Sequence, residues 1–169
     1  MIEVEVVGVR IELPSNQPLV LLKEVSGPKH LPIWIGAPEA SAIAFVQQGI
    51  VPPRPMTHDL LVDVVAAAGR GITEVRITSV EDTVYHAELV LDDGTTVESR
   101  ASDALAVALR VPCPIFCADE VLLAAGVEIA EAEDDEAGDA SAEKQETAEK
   151  ELRQFREFLA DVEPEDFES

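Results

Sequence analysis

The sequence predicts an α+β fold, with antiparallel and mixed β-hairpins packed against about four helices in one compact domain. Strand-like runs come as three strands, two helices, three strands, a helix, a short strand and a helix, whereas a doubly wound fold would alternate strand with helix throughout. Gly, Pro, Asn and Asp fall between these runs where consecutive strands would turn back as hairpins. The chain has 169 residues, 47% hydrophobic and 27% charged, enough for one core where a domain takes roughly 100–200 residues.

Residues 2–13 (IEVEVVGVRIEL) alternate, with Ile2, Val4 and Val6 opposite Glu3 and Glu5, then Val9, Ile11 and Leu13 opposite Arg10 and Glu12. The phase slips near Gly8, so a long strand with a bulge or bend is expected there. Pro14-Ser15-Asn16 is turn chemistry, residues 19–22 pair back as a second strand, and Ser26-Gly27-Pro28 turns into a third over residues 31–35. Apolar residues then shift to helical spacing over 37–48, with Pro38 in the first turn and Glu39 where the helix dipole favours a carboxylate. The Pro-rich stretch 51–56 forms a stiff surface loop. Thr57 or Asp59 caps a second helix through Leu60, Leu61, Val64 and Val65, ending near Gly69 or Gly71.

Residues 72–80 and 83–91 read as a second hairpin separated by Glu81-Asp82, and Asp92-Asp93-Gly94 turns into a strand at 95–99. Ser102-Asp103 caps an Ala-rich helix over 103–110, stopped by Pro112 and Pro114. A short strand at 115–117 and a last helix starting at Asp119-Glu120 complete a domain over residues 1–127. Residues 128–142 read as an acidic disordered linker, because 130–141 lack the large apolar residues that offset ordering entropy. Residues 143–169 form an amphipathic helical tail, with Leu152, Phe155, Phe158 and Leu159 on one face that needs a partner surface.

Charge narrows the function. Lys and Arg number 12 against 34 Asp and Glu, for a net charge of −22. Residues 1–127 carry 8 basic and 17 acidic residues, net −9, while 128–169 carry 4 basic and 17 acidic, net −13. That balance argues against an extended electrostatic clamp on nucleic acid or an anionic membrane, but leaves room for a small phosphate site. Cys113 and Cys117 read as two buried thiols rather than a disulfide framework or metal site. The N-terminus lacks a basic signal-peptide region and no apolar run approaches the ~20 residues of a membrane span, so a cytoplasmic setting with no membrane partner is expected.

The common catalytic fingerprints are missing. One segment stands out, Pro53-Arg54-Pro55-Met56-Thr57-His58-Asp59, with a guanidinium, a hydroxyl, an imidazole and a carboxylate on a loop entering a helix. A helix start supplies free N–H groups for an anion, Arg54 adds a bidentate phosphate donor, and His58 brings an imidazole able to transfer protons. Asp59 with Glu39 offers oxygen ligands for a divalent cation, the arrangement of metal-assisted phosphodiester hydrolysis. The competing assignment leaves Thr57 and Asp59 as helix caps and Arg54 and His58 as partners of buried backbone groups. Arg100-Ala101-Ser102-Asp103 repeats the design, and a fold that joined the two helix starts would make one anion pocket. The single Trp34 could stack a base, although its residue type favours a core or interface position.

The blocks Pro32-Ile33-Trp34-Ile35-Gly36, Glu39-Ala40, Ala42-Ile43, Pro53 to Leu61, Arg100 to Ala106 and Pro114-Ile115-Phe116 resemble the bifunctional nuclease family in order and spacing, over about residues 1–127. Arg100-Ala101-Ser102-Asp103 departs from the Arg-Pro-Ser-Asp common in that family but keeps each polar group. The resemblance implies a compact α+β domain that cleaves RNA and DNA, often as a homodimer; residues 19–22, apolar on both phases, leave surface for such an interface. Residues 149–152 through 164–167 are loosely similar to the UVR motif, a helical module that would dock a protein partner. On this reading Glu39, Asp59 and Asp103 supply oxygens to Mg²⁺ or Mn²⁺ or act as general base. His58 transfers a proton, while Arg54, Thr57, Arg100 and Ser102 hold the phosphodiester. The alternative is a non-enzymatic dimeric anion-binding or regulatory module.

Overall fold

The computed structural model describes residues 1–13 and 15–129. The acidic linker and amphipathic tail expected beyond them lie outside the described residues. The element order is β1 (Ile2–Glu12), β2 (Gln17–Glu24), β3 (Lys29–Trp34), α1 (Ala37–Gln47), α2 (Thr57–Ala67), β4 (Ile72–Glu81), β5 (Val84–Leu91), β6 (Thr96–Arg100), α3 (Ala101–Ala108), β7 (Ile115–Cys117), α4 (Asp119–Ala125) and β8 (Val127–Glu128). The fold is α+β, an eight-stranded mixed sheet with four helices.

Two antiparallel meanders, β1-β2-β3 and β4-β5-β6, form the two halves of a sheet ordered β6-β5-β4-β7-β1-β2-β3-β8. β7 joins them, antiparallel to β1 and parallel to β4. The register slips between Val6 and Gly8, where the alternation loses phase, so the expected bulge is present. The Tyr85 hydroxyl of β5 donates to the Pro32 carbonyl of β3 at 3.4 Å. These strands stand far apart in the sheet order, so the sheet must curl to bring its flanks together.

The helices fill this curl unequally. Every residue of α3 except Asp103 is buried, with Leu105 and Ala106 fully so, because its alanines allow close approach to α1 and to β4 and β5. α2 has no buried residue and packs chiefly on α3; Leu60, Leu61 and Val64 remain exposed. Val20, Leu21 and Leu22 are all buried within the chain, so β2 does not leave the apolar face that its sequence implied. Both cysteines are free, and burial pushes the Cys117 thiol up to about 12. Among the described residues, no helix is long and apolar enough to cross a membrane.

Several boundaries differ from expectation. The β4–β5 turn centres on Asp82 and Thr83, both at positive φ, one residue later than anticipated; neither is the glycine that flags such turns. Met56 rather than Thr57 or Asp59 is the N-cap of α2, and Arg100 rather than Ser102 or Asp103 is that of α3, because extended backbone at each runs straight into the helix. Thr57, Ser102 and the two aspartates are therefore inside the first turn. β8, a two-residue pairing onto Lys29 and His30, straddles the anticipated domain edge at residue 127.

Candidate active site

Three helices place a carboxylate at their third residue: Glu39 in α1, Asp59 in α2 and Asp103 in α3. Local preference explains this, since a carboxylate there meets free N–H groups and the positive end of the helix dipole. Tertiary structure decides which of them meet. Arg100 links two, its Nε donating to Asp103 Oδ2 at 2.6 Å, and its Nη2 to Asp103 Oδ1 at 3.0 Å and Glu39 Oε1 at 2.9 Å. His58 Nε2 lies 3.1 Å from Asp103 Oδ1. A continuous polar chain, Glu39–Arg100–Asp103–His58, thus joins the starts of all three helices. Gly36 leaves room for it, because a Cβ at that position would collide with the Glu39 carboxylate.

Electrostatics fixes the proton positions. Burial pushes the Asp103 carboxyl up, but hydrogen bonds from Arg100 and His58, with their charges, outweigh this and hold it below its ordinary value. The Arg100 guanidinium, bonded to Asp103 and Glu39, is held more firmly protonated than usual. An ionised carboxylate only accepts hydrogen bonds, so the network assigns a proton to His58 Nε2. The His58 side chain is 13% exposed and that of Arg100 is 67% exposed, so the chain runs from a sheltered imidazole to an open guanidinium.

Asp59 does not join this group. Its Oδ2 accepts the Met56 N–H at 2.7 Å and its Oδ1 accepts Arg110 Nε at 2.5 Å. Arg110, 8% exposed, also donates Nη1 to Ala106 O at 2.8 Å and Nη2 to Ala42 O at 3.2 Å, fastening α2, α3 and α1. The Met56 hydrogen bond, reinforced by Arg110 and His58 against the effect of burial, holds Asp59 below its ordinary value. Arg110 is not among the residues that the sequence singles out. A cation one turn past Ala106, where a helix exposes its last carbonyls, was the available signal.

Arg54 lies apart from Arg100, in a mostly apolar cleft of about 390 Å³ that also contains Asp59, Asp63 and Arg110. Thr57 is exposed. Ser102 and Arg100 line a second cleft of about 380 Å³ with Trp34 and Tyr85. Trp34 is 47% exposed, so it is not a core residue.

Among the described residues, no three His, Cys, Asp or Glu side chains gather as a metal-ligand set. Glu39 and Asp103 share Arg100, while Asp59 is held by Arg110. A pair of carboxylates still fits a cation such as Mg²⁺, which commonly takes one or two protein carboxylates and completes its shell with water and substrate phosphate.

The sequence profile described as the bifunctional nuclease domain matches residues 20–130. Over 167 residues, 99% of this chain and 98% of the relative, the chain is 47% identical to uncharacterized protein Rv1829 of Mycobacterium tuberculosis strain ATCC 25618 / H37Rv. Identity and coverage are the same for uncharacterized protein MT1877 of strain CDC 1551 / Oshkosh.

Proposed function

We propose, on the premise that the chain belongs to the bifunctional nuclease domain family, that it hydrolyses phosphodiester bonds of RNA and DNA at the junction of its three helix starts. The observation that carries this reading is the Glu39–Arg100–Asp103–His58 chain. Asp103 orients the imidazole through Nε2, and Nδ1 takes a proton from the attacking water or, once protonated, returns one to the leaving oxygen. Arg100 trades a carboxylate for a phosphate oxygen, a geometry its planar fork suits. Glu39 and Asp103 would hold a divalent cation, Mg²⁺ or Mn²⁺, which when bound supplies charge neutralisation at the phosphoryl group. Asp59 acts indirectly as a positioning residue, by fixing the first turn of α2 that carries His58.

The test is cleavage of labelled single-stranded RNA and DNA with Mg²⁺, Mn²⁺ or EDTA, using wild type, His58→Ala and Asp103→Asn. Metal-dependent turnover lost in both variants, with folding intact, supports the reading. Equal activity in all three preparations would remove the site from consideration. A non-enzymatic anion-binding or regulatory module gains support from one observation: Arg100 is already paired with two carboxylates, which weakens its pull on a phosphate. That module would shift or protect a ligand without turnover. The exposed Leu60, Leu61 and Val64 of α2 support homodimerisation. A cytoplasmic setting agrees with the two free thiols, and a protein partner for the C-terminal segment completes the reading.

A further inference from the structure

We propose that the cleft beside Arg100 is a nucleotide subsite that takes one unpaired base of a single-stranded substrate, stacked on Trp34, with its phosphate at the start of α3. The inference rests on the nuclease reading and deepens it by naming the strand form of the substrate. At about 380 Å³ the cleft falls in the range of small-ligand sites. Trp34 and Tyr85 supply aromatic walls and Gln17 an amide that can both donate and accept. The platform is preorganised: Trp34 Nε1 donates to Glu12 Oε2 at 3.0 Å and the Tyr85 hydroxyl to Pro32 O, so the polar atom of each ring is already satisfied.

The phosphate end is built from different groups. Ser102, the second residue of α3, is 9% exposed, lines the cleft, and makes no hydrogen bond through its hydroxyl among the described residues. That hydroxyl opens onto the cleft, where a ligand oxygen can take the place of water as its partner. It sits in the first turn of α3, where N–H groups are free, beside Arg100, whose Nη1 has no hydrogen-bond partner among the described residues. One phosphate and one base therefore meet complementary groups in a single cleft. A stacking platform also answers the acidity of the protein, because base stacking does not require a basic surface.

Trp34 is the chain's only tryptophan, so its fluorescence reports on the cleft directly. The experiment titrates full-length protein in EDTA with pentathymidylate, with a duplex of mixed sequence and with thymidine monophosphate, and measures cleavage separately. Saturable quenching by the pentamer, and not by the duplex, is expected, with a log–log salt slope near the roughly −0.7 of one phosphate contact. Trp34→Ala should raise KM for a single strand roughly ten-fold, and Trp34→Tyr should recover most of that. Ser102→Ala should weaken quenching while leaving the indole in place.

Cleavage that persists without quenching, and with Trp34→Ala unchanged, would overturn the subsite and leave the nuclease reading standing. Quenching by the pentamer without cleavage would keep the subsite and overturn the nuclease. Quenching by the monophosphate is expected too, because one base and one phosphate fill the cleft; quenching by the duplex as tight as that by the pentamer would overturn the assignment to a single strand.

Discussion

Arg100 and Arg110 bracket α3 and use the same chemistry to different ends. Each binds a carboxylate at the third residue of a helix and reaches to α1, Arg100 through Glu39 and Arg110 through the Ala42 carbonyl. Arg110 is 8% exposed and spends donors on two backbone carbonyls that cannot move away. Arg100 is 67% exposed and is held only by side chains. A guanidinium fastened to backbone is a clamp; on the proposed function, one that is itself largely exposed and held only by side chains can exchange them for a phosphate. The difference assigns stability to one end of α3 and, on the proposed function, ligand exchange to the other.

The comparison breaks first if chemistry and stability do not separate. Asp103→Asn and His58→Ala are each expected to lower kcat by ~10²–10⁴-fold, the usual contribution of a positioned acid or base, with a smaller loss of stability than Arg110→Met. Arg110→Met should do the reverse. Removing one partner of a buried pair typically costs ~3–5 kcal/mol, and the partial exposure of Asp59 puts this case near the lower end. Urea denaturation would measure it, and the fraction still folded should retain turnover within about ten-fold because His58 is displaced rather than deleted. A large loss of kcat in stable, folded Arg110→Met would dissolve the distinction.

Acid sharpens the same contrast. The folded-state values of Asp59 and Asp103 are both depressed, so their stabilising contribution is present above the unfolded Asp value of about 3.9 and is lost as pH falls through the folded value. Stability should decline below about pH 4, and Asp59→Asn, already lacking the Arg110 ion pair, should decline less steeply over that window. An identical acid slope in the variant would mean that the clamp does not depend on the charge of Asp59.

Local patterns were legible where the physics was local. The Gly8 bulge, both meanders and all four helices follow from alternation, turn residues and spacing. The N-cap positions slipped because Arg100 and Met56 enter their helices from extended backbone, which residue preference cannot signal, although the Asp59 carboxylate does cap the Met56 N–H. Glu39, His58, Arg100 and Asp103 were all candidates, and the fold joins them. The sequence could not separate Asp59 from them, since its carboxylate has the same helical position as the other two, and only the packing of α2 on α3 turns it towards Arg110. The role of Arg110 and the exposure of Trp34 depend on the curl of the sheet and the order of its layers, for which no single segment carries a pattern.

The smallest expected effect tests the exchange argument itself. Arg100→Lys keeps the charge but loses the planar fork that spans Glu39 and Asp103. With the side chain 67% exposed, the lost ion pairs should cost no more than about 1 kcal/mol of stability. If Arg100 exchanges a carboxylate for phosphate, KM for a labelled oligonucleotide should rise by roughly ten-fold with kcat changed much less, because a point charge attracts the phosphate without aligning on two of its oxygens. If Arg100 instead only tethers Asp103, the loss should fall on kcat through misorientation of His58, with KM unmoved. The split between the two constants decides whether the exposed arginine handles substrate or supports its neighbour, a distinction that stability measurements on either end of α3 would miss.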